Sequence, residues 1–263
     1  SILSFNMCRK AEFLFNEMAL KQQADFARSL GKDLWKAIRA RYLDPNTLTL
    51  EGRCQTAQAM GIYYHIFTRG ERHEAYQKLL EIIKADGNQM NVGMHGGRVL
   101  FHVLSAFGDS ELAYEMITRN DYPSYHDILN RGATSLWEMF LPKPQRSGSE
   151  NHHCWGDLSH WYLKHLAGFN VNPSVHKPNS ILFQPRFIKQ LDWVKGSMKF
   201  PTGVATSSWQ REHDFTDTIL LDLEIPRDVE AYLRLENGWK IKTDGFRTYC
   251  DLAPGKHQLI LQK

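Results

Sequence analysis

Apolar positions in the first two thirds of the chain recur at steps of three and four. Leu34, Ile38 and Tyr42 fall on one face, as do Tyr76, Leu79, Leu80 and Ile83. Val99, Leu100, Val103, Leu104 and Phe107 repeat the pattern, followed by Leu112, Ala113, Met116 and Ile117. This spacing predicts amphipathic helices that each bury one stripe. Breaks at Leu30-Gly31, Arg69-Gly70, Asp86-Gly87-Asn88 and Phe107-Gly108-Asp109 divide them. A glycine past the last turn is a common helix stop, and connections this short favour antiparallel neighbours. The expectation is a set of stacked helical hairpins.

Near Asn170 the period changes. Asn172 to Pro185 holds three prolines and little helical periodicity, and it reads as a linker crossing the surface. Strand-like runs follow at 192–199, 203–209, 218–225, 230–235, 239–242, 247–251 and 257–262, with turn signals at Asn237-Gly238, Asp244-Gly245 and Pro254-Gly255. Ala231, Leu233 and Leu235 alternate as one buried face requires. The predicted organisation is a helical domain over 1–170, a linker over 171–190 and a small antiparallel β-sandwich over 191–263.

Composition narrows the class only a little. The hydrophobic share of 42% and the charged share of 23% are those of a globular domain. The net charge of +3 is spread over 32 basic and 29 acidic residues without a basic block, so a nucleic-acid partner is not expected. No apolar run approaches the roughly 20 residues of a membrane helix, and no membrane association is expected. Cys8, Cys54, Cys154 and Cys250 are isolated and form no zinc pattern.

Chemistry concentrates at Gly132–Glu138, reading GATSLWE, and at Glu150-Asn151-His152-His153 shortly after it. A carboxylate beside Trp137, followed by histidines and Trp155, suits a sugar cleft. Aromatic faces stack on a ring there, while a carboxylate and an imidazole handle hydroxyls and water. His95, within Gly93-Met94-His95-Gly96-Gly97, is a further candidate for contact with a sugar. The adjacent His152 and His153 lack a matching third ligand, so a metal site is not expected.

The order GATSLWE, then ENHHCWGDLSHWYLKHLAG, then a β-sandwich resembles the C-terminal part of the inverting α-L-rhamnosidases, glycoside hydrolase family 78. Asp121-Tyr122-Pro123-Ser124-Tyr125 is similar to that family's Pro-Ser-Trp stretch, with Tyr125 in place of tryptophan, and Gln55-Thr56-Ala57 resembles its glutamine-bearing helix start. The resemblance implies part of an (α/α)6 barrel followed by the β-sandwich. It places Glu138 as the general base and His152 as a holder of rhamnose, with Trp137 and Trp155 as cleft walls. The partner it implies is a rhamnose-containing glycoside or polysaccharide, with no cofactor. It leaves the compartment open, favouring a periplasmic or extracellular setting over a cytoplasmic one.

Two departures accompany the resemblance. Nothing in the chain matches the family's Asp/Arg/Glu general-acid motif, and only about seven to nine helices are legible where the barrel needs about twelve. The reading is therefore a C-terminal portion of a longer enzyme, nearly inactive alone, whose open helix faces favour association. A non-catalytic carbohydrate-binding or assembly module is the alternative. A sugar epimerase on an α/α barrel is a third reading, and would need paired histidines facing one another.

Overall fold

The computed structural model describes residues 1–141, 148–171, 179–212, 215–242 and 245–263. They form two compact units: Ser1–Phe107 with Leu112–Trp155, and Gly108–Glu111 with Gly156–Lys263.

The first unit is helical. Helices α1 (Ile2–Glu17) and α2 (Lys21–Tyr42) pack as a hairpin, turned at Ala19, whose φ is +57°. The break expected at Leu30-Gly31 is not there, because α2 runs through it. Gly31 is a contact residue: a Cβ at that position would stand 3.2 Å from Cys8 Cβ on α1. A two-residue ribbon, β1 (Leu43–Asp44) with β2 (Thr49–Leu50), leads into α3 (Gln55–Tyr63) and α4 (Arg72–Ala85). Short helices follow: α5 (Met94–Gly97), α6 (Leu100–Ala106), α7 (Ser110–Thr118, its first two residues counted in the second unit) and α8 (Tyr125–Asn130).

Burial follows the predicted stripes on α4 and α6, whereas of the Leu34-Ile38-Tyr42 face expected on α2 only Ile38 is buried and Tyr42 is exposed. Tyr76, Leu79 and Ile83 on α4 are buried, as are Leu100, Val103 and Leu104 on α6. Each such side chain contributes about 1.5–3 kcal/mol of transfer free energy. Gln58 is buried with them but fully engaged. Its amide donates to the carbonyls of Leu48 and Ala75, and its oxygen accepts from the N–H of Leu50. By contrast Met7, Leu14 and Met18 of the α1 segment and Phe26 of α2 are well exposed, an apolar face that nothing among the described residues covers.

The second unit opens with α9 (Asp157–Trp161), which continues as a π-helical turn over Tyr162–Leu166. Strands β3 (Phe169–Asn170), β4 (Ser180–Phe183), β8 (Glu230–Arg234) and β10 (Tyr249–Leu252) form one sheet in the order β10-β8-β4-β3. Strands β5 (Trp193–Phe200), β6 (Gly203–Glu212), β7 (Phe215–Ile225), β9 (Lys240–Ile241) and β11 (Gly255–Gln262) form the other, in the order β5-β6-β7-β11-β9. Phe183, Ala231 and Leu233 of the first sheet share one apolar core with Ala205, Trp209, Ile219, Leu221 and Leu223 of the second. Trp209 Nε1 donates to the carbonyl of Leu166 at 2.8 Å, tying the end of the π-helical turn to that core.

The stretch read as a linker contains β4, buried along its whole length and paired in parallel with β8. Burial of Ile181 and Phe183 outweighs the flanking prolines. Residues 172–178 of that stretch, and Asp244 of a predicted turn, lie outside the described residues.

Candidate active site

The GATSLWE segment is irregular backbone fixed by its neighbours. Ser124 caps α8, its Oγ accepting from Asp127 N at 2.9 Å and donating to the carbonyl of Arg119 at 2.5 Å. One turn beyond, the Arg131 guanidinium meets Asp127 Oδ2 at 2.6 Å and donates to the carbonyls of Phe140 (2.5 Å) and Leu141 (3.1 Å). It also lies 5.3 Å from the centre of the Trp137 ring, a cation–π contact. One arginine thus anchors both flanks of Glu138.

Glu138 is held from the opposite side by Gly148-Ser149. Its N–H donates to the carbonyl of Ser149, and Ser149 N–H donates to Oε2, both at 2.9 Å. The approach requires glycine at 148, where φ is +97° and a Cβ would stand 2.6 Å from Oε2. Ser135 Oγ, donating to the carbonyl of Glu150, and His152 N–H, donating to the carbonyl of Leu136, extend the same join.

Trp155 is buried behind Glu138, with its Nε1 donating to the carbonyl of Glu138 at 2.9 Å. Its ring meets Phe140 edge-on at 4.9 Å, and Gly97 lies against it so closely that a Cβ would come within 2.5 Å of Cζ3. Tyr125 completes the cluster, stacking edge-on against Phe140 and donating its hydroxyl to the carbonyl of Trp155. The neighbouring Cys154 thiol is pushed above its ordinary range, chiefly by burial and further by the Glu138 charge, so it is a poor nucleophile.

Glu138 and Trp155 line one cavity of about 370 Å³, together with Met139, Phe140 and Leu141. The facing wall is Asp86, Gln89–Val92, Tyr122 and Pro123. It is fixed by Gln55, fully buried at the start of α3. The Gln55 amide donates to Asp86 Oδ2 (2.7 Å) and to the carbonyl of Gln89 (2.8 Å), and its oxygen accepts from Asn91 N–H (3.2 Å).

Of the residues singled out in the sequence, Glu138 and Trp155 share this cavity. Trp137 does not line it: Arg131 draws its ring into the protein, where it is 6% exposed. His152 is half-buried and outside the lining. Its Nδ1 accepts from Cys154 N–H, and its ring stacks parallel on His153 at 5.2 Å. His95 is exposed on α5 and also outside the lining. Asp86, Gln89, Asn91 and Tyr122 were not read as site residues. Asp86 was legible only as the start of a turn signal, and its partnership with Gln55 spans 31 residues.

Comparison with known proteins places this geometry. Residues 7–166 match the family described as bacterial alpha-L-rhamnosidase 6 hairpin glycosidase domain. Residues 179–249 match the bacterial alpha-L-rhamnosidase C-terminal domain. The chain belongs to the bacterial α-L-rhamnosidase family, glycoside hydrolase family 78, and corresponds to its C-terminal part.

An alpha-L-rhamnosidase of Alteromonas sp. (strain LOR) is 27% identical over 261 residues, covering 95% of this chain and 28% of that protein. One from Formosa agariphila is 24% identical over 233 residues, covering 85% of this chain and 24% of its own length. The chain therefore spans about a quarter of these relatives. The structure of alpha-L-rhamnosidase from Dictyoglumus thermophilum superposes with a TM-score of 0.85 at 19% identity, over 98% of this chain and 31% of that one. That of Streptomyces avermitilis alpha-L-rhamnosidase, complexed with L-rhamnose, does so with a TM-score of 0.83 at 17% identity, over 98% and 26%. These superpositions establish the fold: helical hairpins followed by β-sheets.

Proposed function

We propose that this chain carries the general base of an inverting α-L-rhamnosidase, with Glu138 in that role. The observation that carries the reading is the placement of Glu138 on a cavity wall, one carboxylate oxygen fixed by the Ser149 amide and the loop anchored by Arg131 and Trp155. In the proposed reaction a water bonds to the anomeric carbon and loses a proton to the Glu138 carboxylate. The glycosidic C–O bond breaks on the opposite face, and the leaving oxygen takes a proton from a separate acid. Inversion requires the two carboxyl groups roughly 6.5–9.5 Å apart, leaving room for that water.

The acid belongs, in this reading, to residues outside this sequence, and so do the helices that cover the exposed face of α1 and α2. The helical unit is then the catalytic-type domain, and the unit that holds the two β-sheets, whose strands begin at Phe169 rather than near residue 191, is its C-terminal companion. His152 serves the rhamnose from outside the described cavity lining, and Trp137 acts through Arg131 on the loop. General acid–base assistance is worth about 10²–10⁴-fold, so the chain alone turns over little substrate.

The test is release of L-rhamnose from an aryl α-L-rhamnoside by the complete parent protein and by its Glu138→Gln variant, with the anomer of the product followed by NMR. Loss of turnover in the variant and a first-formed inverted anomer support the reading. A retained anomer or normal turnover would overturn it.

A further inference from the structure

Three residues of the wall facing Glu138 depend on one side chain that does not itself line the cavity. Asp86, Gln89 and Asn91 border the space, whereas Gln55, the first residue of α3, is fully buried behind them. Its amide nitrogen donates to Asp86 Oδ2 at 2.7 Å and to the Gln89 carbonyl at 2.8 Å, and its oxygen accepts from Asn91 N–H at 3.2 Å. These bonds fix the orientation of the amide, because its nitrogen faces two acceptors and its oxygen faces a donor. Residues 89–93 belong to no helix or strand, so the Gln55 side chain supplies a hold that no backbone ladder gives them. Gln89 carries that hold onward. Its side-chain amide donates to Asp121 Oδ2 at 3.2 Å, and both arms of the Arg119 guanidinium grip Asp121 at 2.8 Å, next to Tyr122 and Pro123 of the same wall.

We infer that Gln55 is a positioning residue of the candidate active site: without touching substrate, it sets where the 86–91 segment stands opposite Glu138 before substrate arrives. The inference rests on the reading of this cavity as the substrate site. A substrate seated between a base and a facing wall is placed by both, and a wall that loses its position is felt first in binding. A residue with a merely structural role acts differently. Its loss lowers the folded fraction, so that kcat per total protein falls while KM stays the same.

The test uses the complete parent protein and turnover of an aryl α-L-rhamnoside. Gln55→Glu keeps the shape and the acceptor for Asn91 N–H, but turns the donor into a carboxylate facing Asp86. KM is expected to rise about tenfold, with kcat within about threefold of the parent. Asp86→Asn returns a donor to the pair from the other side. Alone it should change KM by about threefold at most, and combined with Gln55→Glu it should bring KM at least about threefold back towards the parent. Effects that simply multiply in the double variant, or a fall in kcat at unchanged KM in Gln55→Glu, would overturn the inference. Hydrogen exchange of the 86–92 segment in the unaltered parent, followed by mass spectrometry, needs no variant to fold. Protection already present without L-rhamnose is expected, and protection that arises only when the sugar is added would contradict a wall set beforehand. Glu138→Gln keeps the two readings apart. Normal turnover in that variant removes the base, whereas its loss there, with KM unchanged in Gln55→Glu, removes Gln55 alone.

Discussion

The indole N–H of Trp155 donates to the backbone carbonyl of Glu138, not to its carboxylate. The tryptophan therefore sets where the acidic residue stands and leaves its charge to the cavity. Trp155→Phe keeps most of the ring packing but strands that carbonyl. It should lower stability by about 1–3 kcal/mol, the usual cost of a buried polar group left unpaired. Denaturant unfolding of the variant beside the parent measures this, and an unchanged midpoint would remove the hydrogen bond from the account.

Arg131 anchors the same loop by different means, combining an ion pair with Asp127, two carbonyl contacts and the face of Trp137. Lysine can keep the charge but not the planar fork. Arg131→Lys should therefore reduce kcat about tenfold or more in the complete enzyme, with KM much less affected, because Glu138 shifts rather than disappears. A rise in KM at constant kcat would assign Arg131 to substrate binding instead.

A pH dependence follows from the Arg39–Glu71 pair. Two hydrogen bonds at 2.8 Å from the Arg39 guanidinium, helped by the Thr68 N–H, hold the Glu71 carboxyl at about 2, down from 4.5, against the opposing effect of burial. A depressed folded-state value means stability that is fully present above about pH 4.5 and lost as the pH falls towards 2. Part of the acid destabilisation of the chain should therefore disappear in Glu71→Gln, which starts less stable at neutral pH and loses less on acidification. Thermal melts between pH 7 and 2 read this, and parallel curves for the two proteins would contradict it.

Helices such as α4 and α6 and most strands were legible because each buries one face with a clear period, as Leu79 and Ile83 do on α4 and Leu221 and Leu223 on β7, whereas the short helices α5, α8 and α9 are too brief to carry one. Gly31 misled because a glycine at a helix crossing looks, in sequence, like a glycine at a helix end. Strand β4 was hidden between prolines, and what makes it a strand is its pairing with β8, some fifty residues on, which no local pattern carries. At the site, Trp137 and Trp155 are equivalent as letters. Their difference lies in which one Arg131 reaches. Asp86 and Gln55 become a unit only when α3 and the end of α4 are brought together.

The most direct measurement of the central claim is turnover of an aryl α-L-rhamnoside by Glu138→Gln in the complete enzyme, with L-rhamnose binding measured on the same sample. The account predicts a loss of kcat by about 10²–10⁴-fold with the sugar still bound. Turnover equal to that of the parent would contradict it and remove Glu138 as the base.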